Sequence, residues 1–103
     1  MRIDYTEPAD DDIRHIWQHH AESVSAELAD EIVDRIKTAV ERVIAAHPSS
    51  GRKRPEFGED VRSFPILPHI VFYRITGRRV EVMRVLHGHR DIRKPLMSLL
   101  LAV

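Results

Sequence analysis

Between Val61 and Ile92 the chain reads VRSFPILPHIVFYRITGRRVEVMRVLHGHRDI, and no other stretch constrains the fold as strongly. Two apolar β runs flank a Thr76-Gly77-Arg78 turn and lead into a tip rich in histidine and arginine. Successive side chains alternate across a pleated strand, so Ile70, Phe72 and Arg74 share one face while Val71, Tyr73 and Ile75 share the other. Both faces are largely apolar, which places this run inside a sheet with something packed against it. The run from Val80 to Leu86 has the same character, with Val80, Val82, Arg84 and Leu86 expected on one face. The pattern predicts strands near 61–67, 69–75 and 80–87. Pro65 and Pro68 put the first of them at an edge or give it a bulge, because proline cannot donate to a ladder.

The N-terminal half is helical in pattern. Arg2 to Tyr5 reads as a short strand, and Thr6 offers a hydroxyl to the first free amides of a helix. Pro8 and the acids Asp10, Asp11 and Asp12 suit a first turn, where a missing amide costs nothing and negative charge meets the helix dipole. Ala9, Ile13, Ile16 and Trp17 form its apolar stripe and are expected in the core. A second helix, capped by Ser23 or Ser25, runs to about Ala46 on a stripe of Leu28, Ile32, Ile36, Val40 and Val43, widened by Ala29, Val33 and Ile44. His47-Pro48 ends it. The few residues between the helices make an antiparallel hairpin, and 48–60 reads as a polar surface loop. The resulting order is β-α-α-β-β-β, an α+β fold with a helical hairpin packed on a small antiparallel sheet.

At 103 residues the chain is expected to be one domain, 1–103, without cysteine for disulfides or thiolate metal sites. No run approaches a membrane span and no signal peptide opens the chain, so a soluble cytoplasmic protein is expected. The formal charge of zero conceals a segregation: residues 1–50 carry 5 Lys and Arg against 11 Asp and Glu, and residues 51–103 carry 11 against 5. A domain with an acidic helical side and a basic sheet side follows if the halves occupy different faces, and a basic face attracts polyanions or acidic protein segments. The alternative is that these charges intermingle on folding.

The segments Arg62-Ser63-Phe64-Pro65, Ile70 to Arg74 and Val80 to Asp91, with Ala46-His47-Pro48, Gly51-Arg52, Arg54-Pro55-Glu56 and Ile13 to Trp17 upstream, span nearly the whole chain. In order and spacing they resemble a ParE-type toxin of the ParE/RelE toxin-antitoxin superfamily. That resemblance implies a helical hairpin on a sheet, a cognate ParD-like antitoxin with a ribbon-helix-helix N-terminus that binds the toxin directly as a hetero-oligomer, and DNA gyrase as the target. It implies no cofactor and no membrane association. The RelE branch of the superfamily implies a different activity, ribosome-dependent mRNA cleavage by an endoribonuclease.

Residues that could serve either activity cluster late in the chain: Arg62, Arg84, His87, His89 and Arg90. As a target-binding tip they supply cations and hydrogen-bond donors. As an RNase set, Arg62, Arg84, His87 and Arg90 would stabilise phosphorane charge and move a proton. No tyrosine follows Tyr73, so the C-terminal tyrosine of many RelE-type nucleases has no counterpart, which favours an inhibitor over an enzyme. Arg84 has a structural alternative, a buried ion pair with an acid near Asp4 or Glu81. His87 and His89 lack a third metal ligand, His15, His19 and His20 read as helix surface, and the serines carry no nucleophile-elbow signature. Gly51 to Arg54 lacks the glycine spacing and the Gly-Lys-Ser/Thr ending of a phosphate loop. The apolar run Pro95 to Val103 is expected to cover the sheet, fold as a short helix or meet another chain.

Overall fold

A computed structural model of the chain describes residues 1–88, so His89, Arg90 and the apolar run from Pro95 lie outside the described residues. Arg2–Tyr5 forms strand β1, and Thr6 turns it directly into helix α1, Glu7–Ser23. Thr6 serves both elements: its hydroxyl accepts from the Ala9 N–H at 3.1 Å, capping the helix, and donates to the Met83 carbonyl at 2.8 Å. Ser25 rather than Ser23 caps α2, Ala26–Ala39, by accepting from the Leu28 N–H at 3.1 Å. A π-helical turn, Val40–Ile44, continues α2. Side chains four apart drift one way around an α-helix and the other way around the wider π turn, so Ile36, Val40 and Ile44 all stay buried.

Trp17 departs from expectation. It is 37 % exposed, and its indole N–H donates to Asp30 across the hairpin at 2.8 Å. Ala9 and Ile13 are buried and Ile16 packs beside them, leaving Trp17 at the rim, where its polar N–H finds a partner.

The remaining strands are β2 (Arg52–Lys53), β3 (Val61–Ile66), β4 (His69–Thr76) and β5 (Arg79–His87). The sheet runs β1-β5-β4-β3-β2. It is mixed rather than antiparallel, because β1 lies parallel to β5 with Arg2 opposite Arg79 and Tyr5 opposite Val82. No tight turn joins these two strands; the whole hairpin and three strands intervene, so nothing local dictates an antiparallel pairing. The two-residue strand β2 emerges from the stretch read as loop and covers β3 only at Arg62 and Ser63. The Val61 carbonyl accepts from the Arg54 N–H on the β2 side, so by the two-residue period Pro65 points its N position outward too. A strand edge with no donor at that point resists pairing with another chain.

At the β4–β5 turn Gly77 takes φ +59° and no other residue there is left-handed, the pattern of a II′ hairpin turn with glycine first. Farther along, the register passes from Phe72 opposite Arg84 to Tyr73 opposite Val82, leaving Met83 as an extra residue. This bulge breaks the alternation expected of β5. Val80, Val82 and Val85 join the helix-side core with Val71 and Tyr73, whereas Met83 and Leu86 join Phe57, Val61 and Phe72 in a second cluster. The apolar character of both strand faces thus has two separate cores behind it.

Candidate functional site

β1 pairs with β5 only as far as Val82, and beyond it the edge of β5 is closed by residues of α1 and its cap. The Thr6 N–H donates to the Val82 carbonyl at 3.0 Å, and the Thr6 hydroxyl takes the Met83 carbonyl. Asp12 takes the next donor: its Oδ2 accepts from the Val85 N–H at 2.9 Å. The same carboxylate receives Arg84 through both oxygens, Nε to Oδ2 at 2.7 Å and Nη2 to Oδ1 at 2.8 Å. Both side chains are largely shielded, at 15 % exposure for Arg84 and 9 % for Asp12. The hydrogen bonds that Arg84 donates to Asp12 hold the pKa of its guanidinium above the already high ordinary value, against the opposing effect of burial. Arg84 is therefore a fixed cation with a fixed counter-ion. Its partner is Asp12 rather than Asp4, which binds Arg79 at 3.1 Å, or Glu81, which binds Arg74 at 2.6 Å.

Arg62 is also engaged internally. Its Nη1 donates to the carbonyls of Ser49 at 3.1 Å and Gly51 at 2.9 Å, fastening the segment after the π turn to β3. Tyr73 fastens the same segment from inside, donating to the Pro48 carbonyl at 2.6 Å and accepting from the Gly51 N–H at 2.9 Å. The structure thus separates two members of the expected set. Arg62 braces the loop beyond α2, and Arg84 braces α1. Arg54 donates to Ser63 at 2.9 Å with its guanidinium 5.8 Å from the Phe72 ring centre, so it too is held by its own fold. Arg52, Lys53 and Arg78 are the exposed cations of this half that no ion pair engages among the described residues. The acids Glu7, Asp10, Glu22, Glu27, Asp30, Glu31, Asp34 and Glu41 are exposed on the helical layer, which keeps its acidic character.

His87 ends β5 at the mouth of a cleft of about 300 Å³ between α1 and the β4–β5 end. Five of the seven histidines line it: His15, His19 and His20 from α1, with His69 and His87 from the sheet. The His69 ring lies 6.5 Å from that of His20 and 5.8 Å from that of His87, both edge to face. His69 is 5 % exposed, and burial, followed by the charges of His87, His20 and Arg35, holds its pKa below the usual 6.5. At neutral pH it is an uncharged donor and acceptor. Among the described residues no group of three or more His, Cys, Asp or Glu could hold a metal ion.

Asp12 and His69 are the residues that sequence reasoning passed over. Asp12 stood in a run of three acids explained by the helix dipole, and only the i+4 neighbour Ile16, on the buried stripe, hinted that it faces inward. His69 opens a strand after Leu67-Pro68, and the period-two pattern that buries Val71 and Tyr73 also places His69 on the helix side.

Comparison with known proteins agrees with this architecture. A family model described as ParE toxin of type II toxin-antitoxin system, parDE, matches residues 3–92. The chain is 28% identical over 91 residues to Toxin ParE3 of Caulobacter vibrioides, covering 88% of this chain and 90% of the relative. It is 29% identical over 85 residues to Toxin ParE1 of Mycobacterium tuberculosis, covering 82% of this chain and 86% of the relative. A solved structure of the chromosomal ParDE TA system from P. aeruginosa shares the fold with a TM-score of 0.67 at 22% identity, over 84% of this chain and 95% of that one. With the family model spanning residues 3–92 and the relatives aligned over most of their own length, the chain belongs to the ParE toxin family of type II toxin-antitoxin systems.

Proposed function

We infer that this toxin acts by docking onto DNA gyrase and stalling it on DNA, and that a cognate ParD-like antitoxin neutralises it by direct binding in the cytoplasm. The observation that carries the reading is the internal use of Arg84 and Arg62. A nuclease needs a cation available to a phosphorane and a proton-transfer group beside it. Here the Arg84 guanidinium is closed onto Asp12, and Arg62 is closed onto the Ser49 and Gly51 carbonyls. Of the expected set, His87 is the described member on the exposed surface, at a cleft whose other imidazoles offer ring hydrogen-bonding groups suited to a protein partner. The target surface is therefore centred on His87 and the adjoining His89 and Arg90, with Arg84 and Arg62 supporting it through the fold.

The test pairs two assays on the purified protein: supercoiling by gyrase, and ribosome-dependent mRNA cleavage. The expected result is loss of supercoiling with intact mRNA, reversed by the antitoxin encoded beside the toxin. His87→Ala combined with Arg90→Ala should weaken inhibition while leaving the fold and the antitoxin complex in place. Cleaved mRNA with unimpaired supercoiling would replace this reading with the endonuclease one, and full toxicity of the double variant would remove the tip from the target surface.

A further inference from the structure

The histidine cleft has a second consequence that belongs to the fold and is independent of the target. α1 meets the sheet through two contacts of opposite character. Near its start, Asp12 is locked to Arg84 and to the Val85 N–H. Two turns on, His19 and His20 face His69 and His87 across the cleft, and the contact there is made of imidazole rings and apolar side chains such as Ile16 and Val85. The rings form a chain from helix to sheet, 5.1 Å from His19 to His20, 6.5 Å to His69 and 5.8 Å to His87. We propose that this cleft is an acid-sensitive joint, in which protonation of the imidazoles parts the C-terminal half of α1 from the β4–β5 end while the Asp12 lock holds the N-terminal half in place.

Charge accounts for the direction. The groups that face His69 are His20 and, along the cleft, His15, His19 and Asp12 from α1, Arg35 from α2, and His87 from β5. All but one become or are cations in acid. Among the described residues lining the cleft the acid is Asp12, which is already neutralised by Arg84 and occupied by a backbone donor, so it cannot compensate new positive charge on His69. Like charges a few ångströms apart in a partly dehydrated cleft repel, and a buried imidazole is poorly solvated once charged. The downward shift of His69 agrees with this arrangement. Opening the joint lets water reach the rings and uncovers Val85, on the helix side of the sheet.

Nuclear magnetic resonance on the full-length toxin tests the joint between pH 7 and 5, following the imidazole Cε1–H signals together with the amides of residues 15–24. His69 should titrate below a free histidine. The opening constant of the last two turns of α1, from exchange rates corrected for intrinsic pH dependence, should rise about tenfold for each unit between the free and folded values. The amides of residues 9–13 should not follow. His69→Gln should abolish the pH dependence, and His20→Gln or His87→Gln should weaken it by removing one of the two flanking charges. The proposal is overturned if the α1 amides do not respond to acid in the wild type, if His69 titrates like a free histidine, or if the response survives His69→Gln. Should that variant fail to fold, an unchanged response in both His20→Gln and His87→Gln overturns it equally.

Discussion

Asp12 shows how much of this fold rests on single polar side chains. It satisfies a backbone donor that no strand reaches and fixes the one arginine inside the α1–β5 contact. Removing a partner from a shielded ion pair leaves the other charge without compensation, at a cost of about 3–5 kcal/mol. Asp12→Ala should lower the unfolding free energy by that amount in urea titration. Asp12→Asn keeps an acceptor for Val85 while losing the charge, and should fall between the variant and the wild type. Gly51 and Tyr73 form the comparable point at the other end of the hairpin. A Cβ at Gly51 would lie 2.8 Å from Tyr73 Cε1 and 2.9 Å from the Ser63 carbonyl oxygen, closer than such atoms pack. Gly51→Ala should therefore cost about 1–3 kcal/mol by overpacking, in addition to the displaced Tyr73 hydrogen bonds. Tyr73→Phe should cost about 1–3 kcal/mol by leaving the Pro48 carbonyl and the Gly51 N–H without their buried partner. If Tyr73→Phe unfolds at the wild-type urea concentration, the hydroxyl does not anchor the loop.

Among the elements, the junction of β1 and α1 concentrates the most function in the fewest atoms. The Thr6 hydroxyl caps α1 and also terminates the β5 edge, so Thr6→Ala loses a cap worth about 1 kcal/mol and a bond to a strand carbonyl worth about another. Thr6→Ser should recover most of the loss, a comparison made by thermal unfolding, because the hydroxyl rather than the methyl makes both bonds. What the chain announces in advance is local at this scale. The cap at Thr6, a serine cap at Ser23 or Ser25, the end of the second helix before Pro48 and the Gly77 turn each depend on a few consecutive residues, and those were legible. The direction of β1 depends on residues far apart in sequence, and the pairing of Arg52-Lys53 with β3 and the Met83 bulge depend on how one strand meets the next across an intervening loop or turn. Their signal is absent from any short window. The candidate site divides the same way: the cationic tip could be listed from composition, but that Arg84 is spent on Asp12, 72 positions away, could be learned only from the assembled layers.

For the molecule as a whole, the helical layer carries exposed acid and the sheet ties most of its arginines inward, so stability depends on pH at both extremes through groups at the layer boundary. At the acid end, His69 has a folded pKa below its unfolded one, so the unfolded chain binds the extra proton. Stability falls as pH drops below about 6.5 and levels off once the folded form is protonated too. At the alkaline end the group is Tyr5, on β1 beside the core, whose pKa is pushed up to about 12 by burial first and then by the charges of Glu41 and Asp10. The unfolded chain releases this proton near the ordinary 10.0, whereas the folded one retains it. Between those values the folded state holds the extra proton, so raising the pH favours unfolding. The thermal midpoint should decline from pH 10 to 12, and Tyr5→Phe should flatten that decline while leaving the lysine titration common to both proteins. Glu41→Gln should flatten it by a smaller amount, in keeping with the lesser place of charge beside burial. An equal decline in wild type and Tyr5→Phe would mean that the boundary between β1 and the helices carries no alkaline sensitivity.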